Sequence, residues 1–403
     1  MLTNKSGVIF FNPSFCQQCG TCLSACPNGA ISSKLYEDGL SQIIINHEKC
    51  VNCEHCVRCC PANFPFIRFD LYGYCENKKY FIGSSKNKKI CSEASSGGIA
   101  RTIIIEGLKS HIFSSAYTLK KTNNYPYAEG VFIKNADQIK YSEIPNSIYH
   151  PIMFNRYLEN AEISENILIV GTSCQLKGAE KILKGKYKKL YKVAIFCKQQ
   201  KTFKSTEFFA KLLHEKINLK KYFRFNYRGD GWPGYVKINN SRIKWGIAAG
   251  IPFAKRVWTV PGCDICGDPF GDADITLMDP WLIESENSFG KNVIIVHNDR
   301  GMVLLEKIKC HLNLKPIDFK EVTPALMLDD IEVKQLMVPY FKGEKTERPI
   351  KFAGKVDEYQ RKFYSYMAKI LPFLPHIAYR ILNKCPDLRA IIIRRSSIMR
   401  RNE

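Results

Sequence analysis

Ten of the chain's seventeen cysteines fall within its first 75 residues, and their spacing is the strongest chemical signal in the sequence. One run reads Cys16-Gln-Gln-Cys19-Gly-Thr-Cys22-Leu-Ser-Ala-Cys26-Pro27, and a second reads Cys50-Val-Asn-Cys53-Glu-His-Cys56-Val-Arg-Cys59-Cys60-Pro61. Two residues between cysteines let a tight loop aim three sulfurs at one centre, with the fourth supplied from elsewhere. Four thiolates converging on one small object is what a 4Fe-4S cube requires, and such a cube exchanges single electrons. Zinc is the competing reading, and it wants four ligands in paired spacings. Two complete four-cysteine runs, each ending in Cys-Pro, favour iron and sulfide.

In two-cluster ferredoxins the proline-flanked fourth cysteine of each run serves the other cluster. Applied here, one cluster takes Cys16, Cys19, Cys22 and Cys60, and the other takes Cys50, Cys53, Cys56 and Cys26. Cys59 competes with Cys60, and Pro61 favours the latter. Between the runs, LYEDGLSQIIIN reads as a turn followed by a short strand. Residues 1–75 are thus expected to form a ferredoxin-type domain with two 4Fe-4S clusters.

Four more cysteines could do chemistry further on. Cys174 follows the apolar run NILIVG, and Cys197 ends the run KVAIF. Both runs read as buried strands, with helical LKGAEKILKGKYKK between them and a further strand in ADITLMD. Strand, helix, strand in succession predicts a parallel α/β sheet with right-handed crossovers. Its carboxyl edge, where ligand sites form, would carry both cysteines. Cys263 and Cys266 add a compact pair. By spacing alone these four suit a third cluster, a redox pair, half a zinc site or ordinary buried thiols. Cys75, Cys91, Cys310 and Cys385 have no spacing partners and read as structural.

Other residues are candidates for binding. In SSGGIART, Ser95 or Ser96 can cap a helix, while Gly97 and Gly98 let backbone N–H groups approach a phosphate at its positive end. The plain alternative is a good helix start. Arg228 and Trp232, in RGDGWPGY, suit a planar cofactor or an anionic substrate; the alternative is a tight turn with a packed indole. Asp279 ends its strand and is the candidate for proton delivery. Lys198 is the candidate for an anionic substrate group, and a surface role is open for either.

The order of SSGG (95–98), GTSCQLKG (171–178), the strand-ending Cys197, FRFNYRGDGWPGYV (223–236) and CDIC…ADITLMDPW resembles the coenzyme F(420) hydrogenase/dehydrogenase beta-subunit family. The resemblance covers about residues 90–345. It implies an FAD-containing domain with its own 4Fe-4S cluster, on Cys174, Cys197, Cys263 and Cys266, fed by the N-terminal pair. Flavin contact would then fall to Ser95, Ser96, Gly97, Gly98, Arg228 and Trp232. The chain departs from the family's usual residues at Ser173, at Lys198-Gln199 and at Met278-Asp279, but keeps the cysteines.

The elements that must hold these residues fit a chain of 403 residues. The expected class is α+β: a small two-cluster ferredoxin-like domain, an α/β flavin- and cluster-binding domain, and a basic helical C-terminal tail. The expected divisions are 1–75, a linker at 76–90, family regions at 91–165 and 166–345, and the tail at 346–403. From Lys351 onward the tail has 12 Lys and Arg against 4 Asp and Glu. Pro372 and Pro375 interrupt its apolar face, which favours a packed helical end over a membrane-surface anchor. No stretch approaches a membrane span, and the N-terminus lacks a secretion signal, so a cytoplasmic location is expected. The formal charge of +22 suits an acidic redox partner or an anionic ligand. Nucleic acid is disfavoured, since no helix-turn-helix, zinc-finger or RNA-binding signature accompanies the charge. The expected function is an iron–sulfur flavoprotein oxidoreductase. It would pass single electrons, from a ferredoxin or partner redox subunit, through clusters to FAD for two-electron conversion of an organic substrate or deazaflavin. The alternative is an electron-transfer subunit with no substrate of its own.

Overall fold

The structure, a computed structural model, describes residues 3–4, 7–8, 15–63, 70–283, 289–341 and 358–370. Its first part is built of short pieces: β1 (Thr3–Asn4), β2 (Gly7–Val8), α1 (Thr21–Ser24), β3 (Ile31–Leu35), β4 (Ser41–Ile45) and α2 (His55–Cys59). Gln18 and Gly20 take positive φ in the first cysteine run, and Asn52 and Glu54 do so in the second. These pairs sit at equivalent places, so the same two reversals shape both loops. The same offset carries Cys26 onto Cys60, in keeping with Cys60 rather than Cys59 as its counterpart. Between the loops stands an antiparallel hairpin of β3 and β4, where the sequence predicts only a turn and the second strand.

The second part is arranged around one eight-stranded mixed sheet. Its first half runs α3 (Leu71–Glu76), β5 (Lys79–Ser85), α4 (Lys88–Glu93), α5 (Ile99–Lys109), β6 (Ser115–Lys121), β7 (Ala128–Ile133), β8 (Ser164–Gly171), α6 (Ser173–Leu183) and β9 (Tyr187–Ile195). Then come α7 (Phe203–Leu212), a small sheet of β10 (Phe225–Asn226), β11 (Tyr235–Ile238) and β12 (Ser241–Lys244), α8 (Trp245–Ala248) and α9 (Pro261–Asp264). The chain returns to the large sheet with β13 (Ile275–Met278), β14 (Asn292–Val296), α10 (Asp299–Ile308) and β15 (Leu312–Pro316), and continues in α11 (Phe319–Leu326), α12 (Leu328–Phe341) and α13 (Glu358–Ile370).

The strand order is β15-β5-β14-β13-β9-β8-β6-β7. The central pairs β13–β9, β9–β8 and β8–β6 are parallel, as the strand–helix–strand pattern predicts, and the flanking pairs are antiparallel. Side chains of β8 explain the unbroken apolar run in its sequence. Leu168 and Val170 join the core with Ile99, Ile103 and Leu304 on one face; Ile167 and Ile169 join Leu176, Ala179 and Leu183 on the other. A strand covered on both faces alternates nothing, and each such side chain contributes about 1.5–3 kcal/mol by burial.

Two sequence expectations are corrected. The linker expected at 76–90 is not one: Lys79–Ser85 is β5, paired between β14 and β15 inside the large sheet, and Asn87 caps α4 with its side chain. Its burial alternates except at Ile82–Gly83, a strand pattern that the flanking lysines mask in the sequence. The helix expected to run through residues 184–189 stops at Leu183; Gly185 turns at φ +83, and β9 begins at Tyr187. Of the basic tail, only the helix Glu358–Ile370 is described; residues 346–357 and 371–403 lie outside the described residues. Among the described residues no helix is long and apolar enough to cross a membrane.

Candidate redox site

The first cysteine loop is buried, and the second lies toward solvent. Cys19 is buried and Cys16, Cys22 and Cys60 are partly so, whereas Cys53 is exposed. Cys16, Cys19, Cys22 and Cys60 act on one another. Burial, then the charges of Cys16, Cys19 and Cys60, push the Cys22 thiol well up, and burial followed by Cys19 pushes Cys60 to about 12. Burial carries Cys16 to about 11 against the Gln18 N–H that donates to its sulfur. Cys26, Cys50, Cys53 and Cys56 line one cleft with Pro27, Lys49, Val51 and Glu54. There burial, with Cys26, Cys53 and Cys50 as charged neighbours, lifts Cys56 to about 11. Each grouping pairs three cysteines of one run with the proline-flanked cysteine of the other.

Cys174, Cys197, Cys263 and Cys266 line a second cleft, with Gln17, Thr172, Ser173, Lys198, Gln199 and Gln200. Cys174 opens α6 directly after β8, and Cys197 follows β9, so the carboxyl edge of the parallel strands supplies two of the four. Pro261 starts α9, which carries Cys263, and Cys266 follows that turn. Burial pushes Cys174 well up and carries Cys197 to about 11, with Cys266 the next largest influence on Cys197. The Cys19 charge also reaches Cys174, which puts the first loop beside this cleft. Gln17 belongs to that same loop. Its Oε1, and that of Gln200, are buried with no hydrogen-bond partner in the protein.

These features fit a cluster in each place. Four cysteine sulfurs lining one cleft are the donor set that an iron–sulfur cube takes. Among the described residues no group of three or more His, Cys, Asp or Glu closes tightly enough to hold a single metal ion.

The ferredoxin part is keyed into the sheet domain at specific atoms. Asn155, fully buried, donates through Nδ2 to Thr21 Oγ1 at 2.9 Å and to the Gln175 carbonyl at 2.8 Å, and its backbone N–H donates to the Cys19 carbonyl at 2.9 Å. Gly178 and Gly262 allow this approach. A Cβ at Gly178 would stand 2.0 Å from Thr21 Oγ1, and one at Gly262 would stand 2.4 Å from the Phe15 carbonyl.

Arg228, Trp232, Ser95, Ser96 and Asp279 meet in one place, at the end of β13. Arg228 is fully buried; its Nη1 is 3.0 Å from Asp279 Oδ2, and it donates through Nε to the Pro233 carbonyl and through Nη2 to the Ser95 carbonyl. Indoles of Trp232, Trp245 and Trp281 surround its guanidinium at 4.9, 4.9 and 5.1 Å. Ser96 donates to Asp279 Oδ1, and Ser95 Oγ accepts the Ser147 N–H. Neither serine caps α5, contrary to expectation: Gly98 is the N-cap in left-handed conformation, and Asn292 Oδ1 accepts the Ile99 N–H. A Cβ at Gly97 would stand 2.6 Å from the Gly83 carbonyl, so the glycine serves close packing on β5. The Ser96 hydroxyl is bonded to Asp279 and Asn292 rather than free for a phosphate. Lys198 belongs with the second cysteine cleft, its Nζ 2.9 Å from Met327 Sδ, away from Asp279's group of partners.

Two comparisons with known proteins fall on these two parts. Residues 15–64 match the 4Fe-4S dicluster domain, and residues 164–320 match the C terminus of the coenzyme F420 hydrogenase/dehydrogenase beta subunit. The chain carries both domains. The resemblance read from the motifs is borne out, and the N-terminal part is an iron–sulfur electron-transfer module joined to a domain shared with oxidoreductase subunits. The chain is 23% identical to one subunit of the F(420)H(2) dehydrogenase of Methanosarcina mazei over 233 residues, 54% of this chain and 63% of that protein. It is 37% identical over 57 residues to the polyferredoxin-like subunit of an aliphatic sulfonate oxidoreductase of Pyrococcus furiosus, 14% of this chain and 31% of that protein. In each case the chain spans less than two thirds of the relative's length. A chain of the xenon-derivatised F420-reducing [NiFe] hydrogenase complex of Methanosarcina barkeri shares the fold, with a TM-score of 0.50 and 16% identity over 69% of this chain and 95% of that one.

Proposed function

We propose that this chain passes single electrons from an outer partner to an inner site through three 4Fe-4S clusters. Cys26, Cys50, Cys53 and Cys56 would hold the outermost, Cys16, Cys19, Cys22 and Cys60 the next, and Cys174, Cys197, Cys263 and Cys266 the innermost. Bound there, the clusters supply one-electron chemistry at potentials that the protein's charges and hydrogen bonds tune. The observation that carries the reading is the serial placement of the three sets, from exposed Cys53 through buried Cys19 to Cys174, on which the Cys19 charge acts. The chain's own residues keep water from the inner two sets, hold their spacing through Asn155, and leave the outer set within reach of a one-electron donor such as a ferredoxin or partner redox subunit.

FAD, which the family resemblance implies, would convert single electrons into a two-electron reduction of an organic substrate or deazaflavin. Of the side chains expected to bind it, Arg228, Trp232 and Ser96 are bonded or packed against partners within the protein. That observation favours the second reading, an electron-transfer subunit with no substrate of its own. Asp279, held by Arg228 and Ser96, serves the buried arginine rather than proton delivery in this arrangement. Anaerobic purification with iron, sulfide and flavin counted per chain separates the readings. About twelve irons support three clusters against about eight for the dicluster domain alone. Bound FAD with turnover of a two-electron acceptor favours the flavoprotein; twelve irons without flavin favour the relay.

A further inference from the structure

Lys334 lies on α12, outside both matched regions, and is 6% exposed. An ammonium group taken out of water is costly unless an opposite charge meets it. Among the described residues Lys334 makes no ion pair. Its Nζ donates to the Lys198 carbonyl at 2.5 Å. Its charged neighbours are Arg256, of the same sign, and Asp264, whose carboxylate is already bonded to Arg256 at 3.0 Å. Lys198, partly buried, has a thioether for its acceptor and Asp330 as an opposite charge nearby. Three cations therefore stand at one side of the Cys174, Cys197, Cys263 and Cys266 cleft, against the two carboxylates of Asp264 and Asp330. The Lys334 charge works on Cys197 and Cys263, pulling both thiols down against their burial.

Four neutral thiols would not balance this wall of charge. Four thiolates around an iron–sulfur core would, because the assembly is a net anion and becomes more negative on taking up an electron. We infer that Lys334 is the buried counter-charge of the innermost cluster and raises its reduction potential, so that electrons arriving from the N-terminal clusters are held at the inner end. The step is a one-electron transfer: an outer cluster is oxidised, the inner one reduced, and no bond or proton need change. The inference rests on the proposed cluster at the four cysteines. Burial lowers the Lys334 pKa to about 8, so its charge is read at pH 7, and Lys334 acts through the cluster without touching substrate.

The test is a dithionite redox titration of the whole chain, purified anaerobically and followed by paramagnetic resonance, comparing wild type with Lys334→Met and Lys334→Arg. In Lys334→Met the inner centre should show a fall of about tenfold or more in its reduced-to-oxidised ratio at a fixed potential, as loss of one nearby charge implies. For a one-electron couple, tenfold corresponds to about 59 mV. The two N-terminal centres should keep their midpoints, and Lys334→Arg should stay near wild type. Loss of the inner centre from the Met variant alone would also support the inference, since the charge would then be needed to hold it. An unchanged inner midpoint in Lys334→Met overturns it, as does an Arg variant that shifts or loses the centre as much as Met. Should wild type hold only about eight irons, with no third centre, the underlying assignment fails instead, and the iron count reveals that before any variant is made.

Discussion

His150 shows how one buried side chain can set the acid limit of the molecule. It is 1% exposed, with Nδ1 2.8 Å from the Tyr227 hydroxyl and Nε2 2.8 Å from the Pro126 carbonyl. A carbonyl can only accept, so Nε2 carries the proton and Nδ1 accepts from tyrosine. The neutral ring is satisfied, and burial lowers its pKa from 6.5 to about 4. The unfolded chain binds this proton more readily than the folded one, so the contribution is present above about pH 6.5 and lost as pH falls toward 4. Between pH 7 and 5 wild type should lose about 2 kcal/mol more stability than His150→Gln, measured by urea unfolding of both at each pH. Equal losses would remove His150 from the account. At this scale the sequence is legible where spacing does the chemistry, in Cys16 to Cys26 and Cys50 to Cys60; the later four, which line one cleft, are joined in the sequence only by the family resemblance. It is silent on Gln17 and Lys334, because an amide between two cysteines and a lysine on a distant helix carry no spacing signal. The Arg228–Asp279 pair is likewise invisible, its members being 51 positions apart.

Among the elements, α6 is where the two parts of the chain are fastened. Its Gly178 faces Thr21 of the first cysteine loop at a separation that admits no side chain. Gly178→Ala should cost about 1–3 kcal/mol through overpacking, and should loosen the first loop from the second cleft. The expected readouts are a lower thermal midpoint and weaker magnetic interaction between reduced clusters. Full retention of both would show that α6 is not the fastening point. The helix itself is easy to read, since Thr172 and Gln175 form a capping box and the apolar residues recur at helical spacing. The strand β5 is not. Its partners β14 and β15 lie more than two hundred residues away in sequence, so its pairing leaves only a short run, YFIGSS, between lysines. The loop SSGG reads correctly as a helix start, yet its cap comes from Asn292 on β14, again a contact no local pattern records.

Across the whole molecule, exposure falls from the second cysteine loop to the sheet edge, and chemical vulnerability should follow it. Treating the reduced holoprotein with a ferrous chelator should release about four irons in a fast phase, from the cleft around exposed Cys53, and the remainder slowly. Iron lost in a single phase, or lost first from the Cys174 cleft, would contradict this order. The mixed sheet accounts for the gradient, because its parallel strands present Cys174 and Cys197 at one edge and the ferredoxin part covers that edge.

The position of β5 also bears on how the chain is made. Synthesis from the N-terminus delivers this strand early, while its two neighbours in the sheet are translated last. At about 5–20 residues per second, β5 waits some tens of seconds on the ribosome with both of its backbone edges unpaired. A message truncated before β15 therefore yields a polypeptide whose cysteine loops can close but whose apolar sheet cannot, a species that chaperones must shield or proteases remove.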